Sequence, residues 1–317
     1  MRRTFLATLA ALAMAPALAQ WQPTKPIRMI VPLAAGGGTD LAARVVAAEL
    51  STALGQQVTI DNRLGANGVV GVDAASKSPA DGYTILVGSS TTLAANKFLY
   101  KTAAQLEPFK EFVPLSMLGT IDFALMVPAD SPYKTLGDLL GAARKEPGKL
   151  SYGFGSSAAL LCGEMLKTTA NIDIVKIGYK GSPQSLTDLA AGRLQLVCDP
   201  LGTSMPLIKA GKLRPIASTG KQRNALMPEL PLMAEAGLPM EHETWAGFFA
   251  PAGLPREVHQ RLASELVKIQ SRPDVQAKIR ETGFVPRPLG PEEFGTVHRA
   301  DYARMERLIK GAGISPE

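Results

Sequence analysis

Short apolar runs alternate with amphipathic segments along most of the chain, and this alternation predicts parallel sheets covered by helices. Between residues 39 and 54, Leu41, Val45 and Ala48 recur at helical spacing, and Gly55 supplies a stop signal. Residues 83–87 are apolar nearly throughout, as buried parallel strands are. The N-terminal part is therefore predicted to be doubly wound, with strands at 27–33, 58–60 and 83–87 and helices at 39–54 and 69–76.

The segment from residue 112 to residue 127 interrupts this alternation, because we interpret it as two extended runs with Gly119-Thr120 between them. A fresh series follows, with strands at 150–152, 174–179, 194–198 and 213–218 and helices at 157–168, 183–191 and 205–210. Beyond Lys221 the pattern predicts a strand at 244–250 and helices at 255–270 and about 291–309.

This order is most simply explained by two α/β domains, one inserted into the other, since the chain exceeds what a single core usually organises. Domain 1 would comprise residues 20–123 and 221–317, and domain 2 residues 124–220. The crossings would lie near Asp122 and Gly220. Two crossings form a hinge, so we expect a cleft that encloses a ligand.

The first residues have the composition of a secretory signal peptide. Arg2 and Arg3 precede an apolar run that ends in Ala17-Leu18-Ala19, which predicts residues 1–19 as the signal peptide, cleaved after Ala19. The two arginines leave open a twin-arginine route as well as the general secretory route, and both lead out of the cytoplasm. No later stretch has the roughly 18 uninterrupted apolar residues of a membrane span, so a soluble periplasmic protein is expected.

Charge and cysteine content narrow the choice of partner. Cleavage would lower the Lys and Arg count from 34 to 32 against 28 acids, so the formal charge falls from +6 to +4. This mild excess, without a basic cluster and with 6% aromatic residues, argues against nucleic acid and suits an anionic small molecule. Cys162 and Cys198 could form a disulfide or remain two buried thiols.

Four stretches resemble the receptors of tripartite tricarboxylate transporters, known as TctC or Bug proteins. They are Val31-Pro32-Leu33-Ala34-Ala35-Gly36-Gly37-Gly38-Thr39-Asp40, Asp61-Asn62-Arg63 followed by Gly65-Ala66-Asn67-Gly68, Asp81-Gly82-Tyr83-Thr84-Ile85-Leu86, and Tyr179-Lys180-Gly181-Ser182. Later stretches agree, including Gly192-Arg193-Leu194-Gln195 and Phe249-Ala250-Pro251-Ala252-Gly253. Together they cover essentially the whole mature chain in order.

The resemblance implies a monomeric receptor of the type II periplasmic binding protein architecture, with two doubly wound α/β domains joined by a hinge. It also implies an organic carboxylate ligand, capture by backbone amides and hydroxyls, no cofactor, and delivery to a tripartite tricarboxylate-type permease. A periplasmic sensor subunit that reports ligand occupancy to a signalling protein is the alternative. Permease genes beside this gene would favour transport.

Five loops at predicted strand ends offer suitable donors, because α/β sheets bind ligands at the carboxyl ends of their strands. The loop 34–40 has glycines that permit close approach and opens a helix whose dipole attracts anions. Thr39 either caps that helix or donates its hydroxyl to the ligand. Asp40 would repel an anion, so it is interpreted as a loop organiser or as the partner of a ligand amino group. The candidate ligand-binding residues are Ala35, Gly37, Gly38, Thr39, Asp40, Ser89, Ser90, Thr91, Phe154, Ser156, Ser157, Tyr179, Gly181, Ser182 and Asp199.

One departure from the family concerns the loop after residue 153. It is about two residues shorter than usual, and Leu160 stands where a histidine is common in the family. A more apolar pocket, with Phe154 and Leu160 near the ligand, is therefore expected, which argues against the usual small aliphatic diacids.

Enzymatic interpretations are weaker. The run Gly153-Phe154-Gly155-Ser156-Ser157-Ala158 is close to a dinucleotide fingerprint, but the next strand ends in Tyr179-Lys180 rather than in the acid that binds ribose. The chain's 3 histidines lack metal-ligand spacing and are expected at the surface. No nucleophile elbow occurs.

Overall fold

A computed structural model describes residues 21–311 and 313–316. The predicted signal peptide and its cleavage site lie outside the described residues. The strands are β1 (Ile27–Val31), β2 (Val58–Asn62), β3 (Thr84–Ser89), β4 (Phe112–Pro128), β5 (Ser151–Phe154), β6 (Val175–Gly178), β7 (Leu196–Pro200), β8 (Leu213–Ser218), β9 (Glu243–Pro251) and β10 (Phe284–Pro286). The helices are α1 (Gly38–Leu54), α2 (Val69–Ser76), α3 (Asn96–Leu99), α4 (Pro108–Glu111), α5 (Leu136–Lys145), α6 (Ser157–Ala170), α7 (Ser182–Ala190), α8 (Leu201–Lys209), α9 (Arg256–Gln270), α10 (Pro273–Glu281) and α11 (Pro291–Gly311).

The strands form one continuous path in the order β2-β1-β3-β9-β4-β7-β5-β6, with β8 and β10 also pairing with β4. We call β1, β2, β3, β9 and β10 with their helices the first half, and β5, β6, β7 and β8 with α5 to α8 the second half. Within each half, β1 to β3 or β5 to β7 run parallel. This mixed α/β fold confirms the predicted fold class.

Strand β4 belongs to both halves. Its N-terminal part pairs with β9 as far as Asp122, opposite Glu243. The next residue, Phe123, is opposite Pro200 of β7. The predicted break at Gly119-Thr120 is wrong, because β4 continues there and absorbs the irregularity as register shifts between Pro114 and Ser116 and between Met117 and Gly119.

The chain returns to the first half beside this change of partners. Thr219 accepts a hydrogen bond from the Phe123 N–H at its hydroxyl (3.0 Å) and donates its own N–H to the Phe123 carbonyl (2.9 Å). The Thr219 hydroxyl also lies 2.6 Å from the carbonyl of His242, whose N–H donates to the Thr219 carbonyl (2.9 Å). Thr219 therefore joins the two segments that connect the halves.

Alternation along the strands divides the core into layers. Ile27, Met29 and Val31 pack on the face that α1 and α9 cover, whereas Ile30 packs on the opposite face with Phe294 of α11. The core beneath α1 and α9 continues into the second half, where it includes Leu139 of α5 and Cys162 of α6. A separate core in the second half includes Leu186 and Leu189 of α7 with Leu201 of α8.

Cys162 and Cys198 form a disulfide with their Cα atoms 6.2 Å apart. Both residues are buried, and the bond ties α6 to β7. This settles the alternative that the sequence left open in favour of pairing.

Replacement of both cysteines by alanine is expected to lower the free energy of unfolding by about 3–4 kcal/mol, because the bond closes a loop with a sequence separation of 36 residues. Urea denaturation of the oxidised protein and of the Cys162→Ala, Cys198→Ala variant measures this. Wild-type protein unfolded in the presence of a reductant is the control, and it should approach the variant. Equal stability of variant and oxidised wild type would contradict the expectation.

Candidate functional site

The carboxyl edges of the two sets of parallel strands face each other across the point where β4 changes partners. Ser89, at the end of β3, is opposite Ala246, which in turn is opposite Gly119 of β4. Pro200, at the end of β7, is opposite Phe123. Since β3 runs with β4 and β7 runs against it, both strands end near residues 119–123 and point towards each other. The loops at these edges form the candidate site.

The loop after β1 leaves its helix without a side-chain cap. Gly37 occupies the N-cap of α1 and provides no side-chain hydrogen bond, which rules out helix capping as one of the two alternatives for Thr39. Thr39 is half-buried and its hydroxyl has no hydrogen-bond partner among the described residues. Ala35 is exposed, and Gly38 packs so tightly that a Cβ would lie 2.9 Å from the Thr282 carbonyl oxygen.

Asp40 is buried and fully occupied by its own loop. Its carboxylate accepts hydrogen bonds from the Gly36 N–H (2.9 Å), from Asn62 Nδ2 (2.9 Å) and from Arg44 Nε (2.9 Å). Burial alone would raise the pKa of Asp40, but the hydrogen bonds from Arg44, Gly36 and Asn62 together hold it below its usual value. The carboxylate thus organises the loop as an anion that Arg44 neutralises.

Most hydroxyls of the loop after β3 have partners within the first half. Ser89 and Thr92 bond each other, with Ser89 N–H donating to Thr92 Oγ1 (2.9 Å). Ser90 donates to the buried Asp301 carboxylate of α11 (2.5 Å). Thr91 begins a π-helical turn over Thr91–Ala95, and its half-buried hydroxyl has no partner in the described part of the chain.

A ring of hydrogen bonds joins this region to the second half. Ser157, the first residue of α6, donates to Asn96 Oδ1 (3.1 Å) and lies 3.2 Å from the Tyr100 hydroxyl. Asn67 Nδ2 donates to that hydroxyl (2.5 Å), and Asn96 Nδ2 closes the ring on the Asn67 carbonyl (2.9 Å). Asn67 adopts a left-handed backbone conformation at φ 52°. Ser157 thus uses its hydroxyl to bridge the halves.

The other second-half candidates lie at the starts of α6 and α7. Ser156 caps α6 by accepting the Ala159 N–H (3.2 Å), and Phe154 is half-buried at the end of β5. The Tyr179 hydroxyl donates to Asp188 of α7 (2.9 Å). Gly181 is the N-cap of α7 and has no side-chain cap.

Ser182 and Asp199 meet beneath the start of α7. The Ser182 hydroxyl donates to Asp199 Oδ2 (2.5 Å). Asp199 is completely buried, and its Oδ1 has no partner among the described residues. A Cβ on Gly155 would lie 2.3 Å from the Ser182 N atom, so the loops after β5, β6 and β7 are in contact here.

The turn Thr282-Gly283 lies between the halves and was not identified from the sequence. A Cβ on Gly38 would lie 2.9 Å from the Thr282 carbonyl oxygen, and one on Gly202 would lie 2.6 Å from the same atom. The turn therefore contacts the start of α1 on one side and the start of α8 on the other. It follows α10, a helix that the sequence pattern did not reveal.

Two of the three histidines are buried, which corrects the expectation of surface positions. His298 is held by the Leu93 carbonyl (3.0 Å). His242 packs on the Phe123 ring at 4.9 Å, and neither ring nitrogen has a partner in the part of the chain that the structure describes. Burial, helped by Arg304 and opposed by the Ala158 main chain and Asp301, lowers the pKa of His242 to about 4. His298 lies on the buried face of α11 with Phe294 and Met305, so helical spacing was an available signal for its burial. His242 lies outside every predicted element, and no periodicity indicated its burial.

Arg63, the nearest candidate for an arginine clamp, is exposed and pairs with Asp61 (2.7 Å). A cavity of about 280 Å³ lies in the first half and reaches Thr92 of the loop after β3. It is lined by Val69, Val72, Asp73, Ser76, Lys77, Thr92, Thr102, Ala103, Gln105, Leu106 and Glu111.

Within residues 21–311 and 313–316, no helix combines the length and the apolar composition that a membrane crossing requires. In the same residues, no group of three or more His, Cys, Asp or Glu side chains could hold a metal ion.

The chain is similar to known proteins over most of its length. The model of the tripartite tricarboxylate transporter family receptor matches residues 42–314. A UPF0065 protein from the tcbD-tcbE intergenic region of Pseudomonas sp. (strain P51) is 37% identical over 292 residues, which cover 90% of this chain and 86% of that protein.

Solved structures agree. The R. palustris protein Rpa4515 with adipate has a TM-score of 0.87 and 36% identity, covering 93% of this chain and 99% of that one. MatC from Rhodopseudomonas palustris with bound malate has a TM-score of 0.81 and 26% identity, covering 90% of this chain and 99% of that one. The chain therefore belongs to the tripartite tricarboxylate transporter receptors, the TctC or Bug family of periplasmic solute-binding proteins, which is a family of receptors rather than of enzymes.

Proposed function

We propose that this protein captures a small organic carboxylate between its two halves in the periplasm and delivers it to a tripartite tricarboxylate-type permease. The observation that carries the proposal is the uncapped start of α1, which offers hydrogen-bond donors and no net charge at the edge that faces the second half.

The donors at α1 suit a carboxylate. The N–H groups of Gly38, Thr39 and Asp40 belong to the first turn, where a helix provides no backbone acceptors, and Gly37 adds no side-chain cap. The Thr39 hydroxyl has no partner in the described residues, and Arg44 neutralises the Asp40 carboxylate. Together with the helix dipole, these groups favour an anion.

Two further observations support the class of ligand and the mode of capture. Structural relatives were solved with adipate and with malate, which are both carboxylates. The change of strand partners between Asp122 and Phe123, with Thr219 on the returning segment, supports a hinge between domain 1 (residues 20–123 and 221–317) and domain 2 (residues 124–220). Closure about this hinge would bury the ligand.

Thr39→Ala is expected to weaken binding by roughly 10- to 150-fold, because a hydrogen bond to a charged group contributes about 1.5 to 3 kcal/mol. A panel of carboxylates that includes adipate and malate is screened by thermal shift, and calorimetry then measures the affinity of any that binds. Circular dichroism should remain native.

Three matched variants accompany this measurement. Thr39→Ser keeps the hydroxyl and should retain most of the affinity. Ser89→Ala should cost less than Thr39→Ala because Ser89 already bonds Thr92. Arg63→Lys should cost least because Arg63 pairs with Asp61. Loss of binding in Arg63→Lys together with normal binding in Thr39→Ala would show that an arginine clamp holds the anion.

Ligand binding is expected to reduce the radius of gyration, because the halves close around the ligand. Tyr100→Phe opens the hydrogen-bonded ring to Ser157 and should weaken binding about fivefold, since a neutral hydrogen bond contributes about 1 kcal/mol. Small-angle scattering and calorimetry measure the two effects. Tyr133→Phe, far from the ring in sequence, is the control and should bind as the wild type does. An unchanged radius under saturating adipate or malate would exclude closure for that compound.

Export is expected to remove residues 1–19, because Ala17 and Ala19 are the small residues that signal peptidase requires. N-terminal sequencing of protein recovered from the periplasm should begin at Gln20. A start within the β1 strand would refute both the cleavage site and the extent of domain 1.

A further inference from the structure

Asp199 is an acid without a counter-ion at the edge where the halves meet. It lies at the end of β7, opposite Ala124 of β4, one residue from the pairing of Pro200 with Phe123. Its side chain is completely buried. The Ser182 hydroxyl donates to Oδ2 (2.5 Å), while Oδ1 has no partner in the described residues. An ionised carboxylate in such a place would be held by a single hydroxyl, which does not compensate for the loss of hydration.

Among the described residues, none of the surrounding charged groups pairs with Asp199. Eight charged side chains lie on or beside the elements around β7. They are Asp122 on β4, Glu164 and Lys167 on α6, Lys180, Asp188 and Arg193 on or near α7, Lys209 on α8 and Arg214 on β8. Asp188 pairs with Arg193, Asp122 accepts from Asn224, Glu164 accepts from Tyr152, and Arg214 donates to the main chain at Ala129 and Ser131. Within the described chain, no ion pair involves Asp199.

The hydrogen bond between Ser182 and Asp199 determines which ligand groups these two side chains can bind. Because the Ser182 hydroxyl donates to Asp199, it presents only lone pairs to a ligand. With Asp199 ionised, both groups would be acceptors, and a ligand carboxylate would be repelled. With a proton on Oδ1, Asp199 can donate a hydrogen bond to a ligand carboxylate. The sequence-based view of Ser182 as a direct hydroxyl donor does not fit this geometry.

We propose that Asp199 binds the ligand as a neutral carboxylic acid, donating a hydrogen bond from Oδ1 to a ligand carboxylate oxygen, so that capture takes up a proton from solvent. This inference rests on the proposed function, with α1 holding one carboxylate and Asp199 a second. It makes Asp199 the residue that selects dicarboxylates, in contrast to the expectation from the shorter loop after residue 153. The proton adds to Oδ1, and no other bond changes.

The direction of the pH effect follows. Burial raises the pKa of Asp199 to about 7, against the opposing hydrogen bond from Ser182. Above that pH the free protein is ionised at Asp199 and must gain a proton before it binds. Affinity should therefore be constant below the pKa and fall by about tenfold per pH unit above it, while dicarboxylates themselves stay fully ionised.

The test compares wild type with Asp199→Asn, in which the amide keeps an acceptor for Ser182 and places a permanent donor at the position of Oδ1. Calorimetry with adipate and malate between pH 6 and 9, in two buffers of different ionisation enthalpy, gives affinity and proton uptake. We expect wild type to take up about one proton at pH 8. Asp199→Asn should take up none and bind about 10- to 100-fold more tightly than wild type at pH 9.

Two further variants separate folding and charge effects. Ser182→Ala removes the bond that lowers the pKa of Asp199, so the fall in affinity should begin at a higher pH. Asp130→Asn removes an exposed carboxylate and should reproduce the wild-type profile.

The outcomes are distinct. Binding without a pH slope or proton uptake, or loss of binding in a folded Asp199→Asn at every pH, would overturn the neutral-acid role and leave the receptor function intact. The second result would mean that binding requires the ionised carboxylate of Asp199 rather than its neutral acid. If Asp199→Asn does not fold, the ¹³C titration of the Asp199 carboxyl in wild type decides, and a pKa near 4 refutes the proposal. Failure of every carboxylate in the panel to bind would instead refute the proposed function.

Discussion

The structure depends on one strand that two sheets share. Because β4 pairs with β9 up to Asp122 and with β7 from Phe123 onward, the two halves must meet along its length. The direction of pairing then decides which ends face each other. Strand β3 runs with β4 and β7 runs against it, so the carboxyl edges of both halves converge on the same short stretch. A cleft lined by strand-end loops is a direct consequence of this register.

A second feature is that two buried carboxylates near these edges, those of Asp40 and Asp301, are neutralised by partners within the first half. Asp40 lies at the start of α1, where a free carboxylate would repel an anion, and Arg44 and Asn62 satisfy it within its own loop. The Asp301 carboxylate likewise accepts hydrogen bonds from Ser90, Trp245 and Arg304. The groups of these first-half loops that remain without partners in the described residues include the N–H groups of the first turn of α1 and the hydroxyls of Thr39 and Thr91. In the proposed function, such dipoles would hold an anion by their geometry, and separation of the halves would release it.

Local patterns in the sequence predicted much of the fold. Strand β8 (Leu213–Ser218) and helix α2 (Val69–Ser76) were predicted to the residue, since an apolar run or a helical stripe ends there at a turn signal. Helices α5 and α10 were missed, although α5 begins with a capping box formed by Thr135 and Asp138. A threonine followed three residues later by an acidic residue is a sequence signal for the start of a helix. In α5 this signal was overlooked because the apolar stripe of the helix is short.

The strand-end loops of the candidate site could also be predicted, but the partners of their side chains could not. Ser90 bonds Asp301, 211 residues away, and Ser157 bonds Asn96, 61 residues away. Such pairs depend on how the halves pack, and no local pattern encodes them. His242 was missed for the same reason, because its burial arises where α6, β4 and α11 meet.

The contacts between the halves explain why the titratable groups near β4 have shifted pKa values. Every ion pair in the described residues lies within one half. We call the boundary between the halves the seam. The contacts across it include the neutral ring at Ser157, the hydrogen bonds of Thr219, the packing of Thr282-Gly283, and the packing of Leu161 of α6 against Leu99 and Met305.

A seam of this kind excludes water without supplying counter-charges, so each titratable group in it is driven towards its neutral form. Burial lowers the pKa of His242 to about 4 and raises that of Asp122 to about 6, the latter against the bond from Asn224. Asp199 and His242 both have buried side-chain atoms without a partner in the described residues, namely one carboxylate oxygen of Asp199 and both ring nitrogens of His242. Among the acids of the described residues, Asp199 is therefore the one that keeps a fully buried oxygen without a hydrogen-bond partner, and the carboxylate of the proposed ligand would supply that partner.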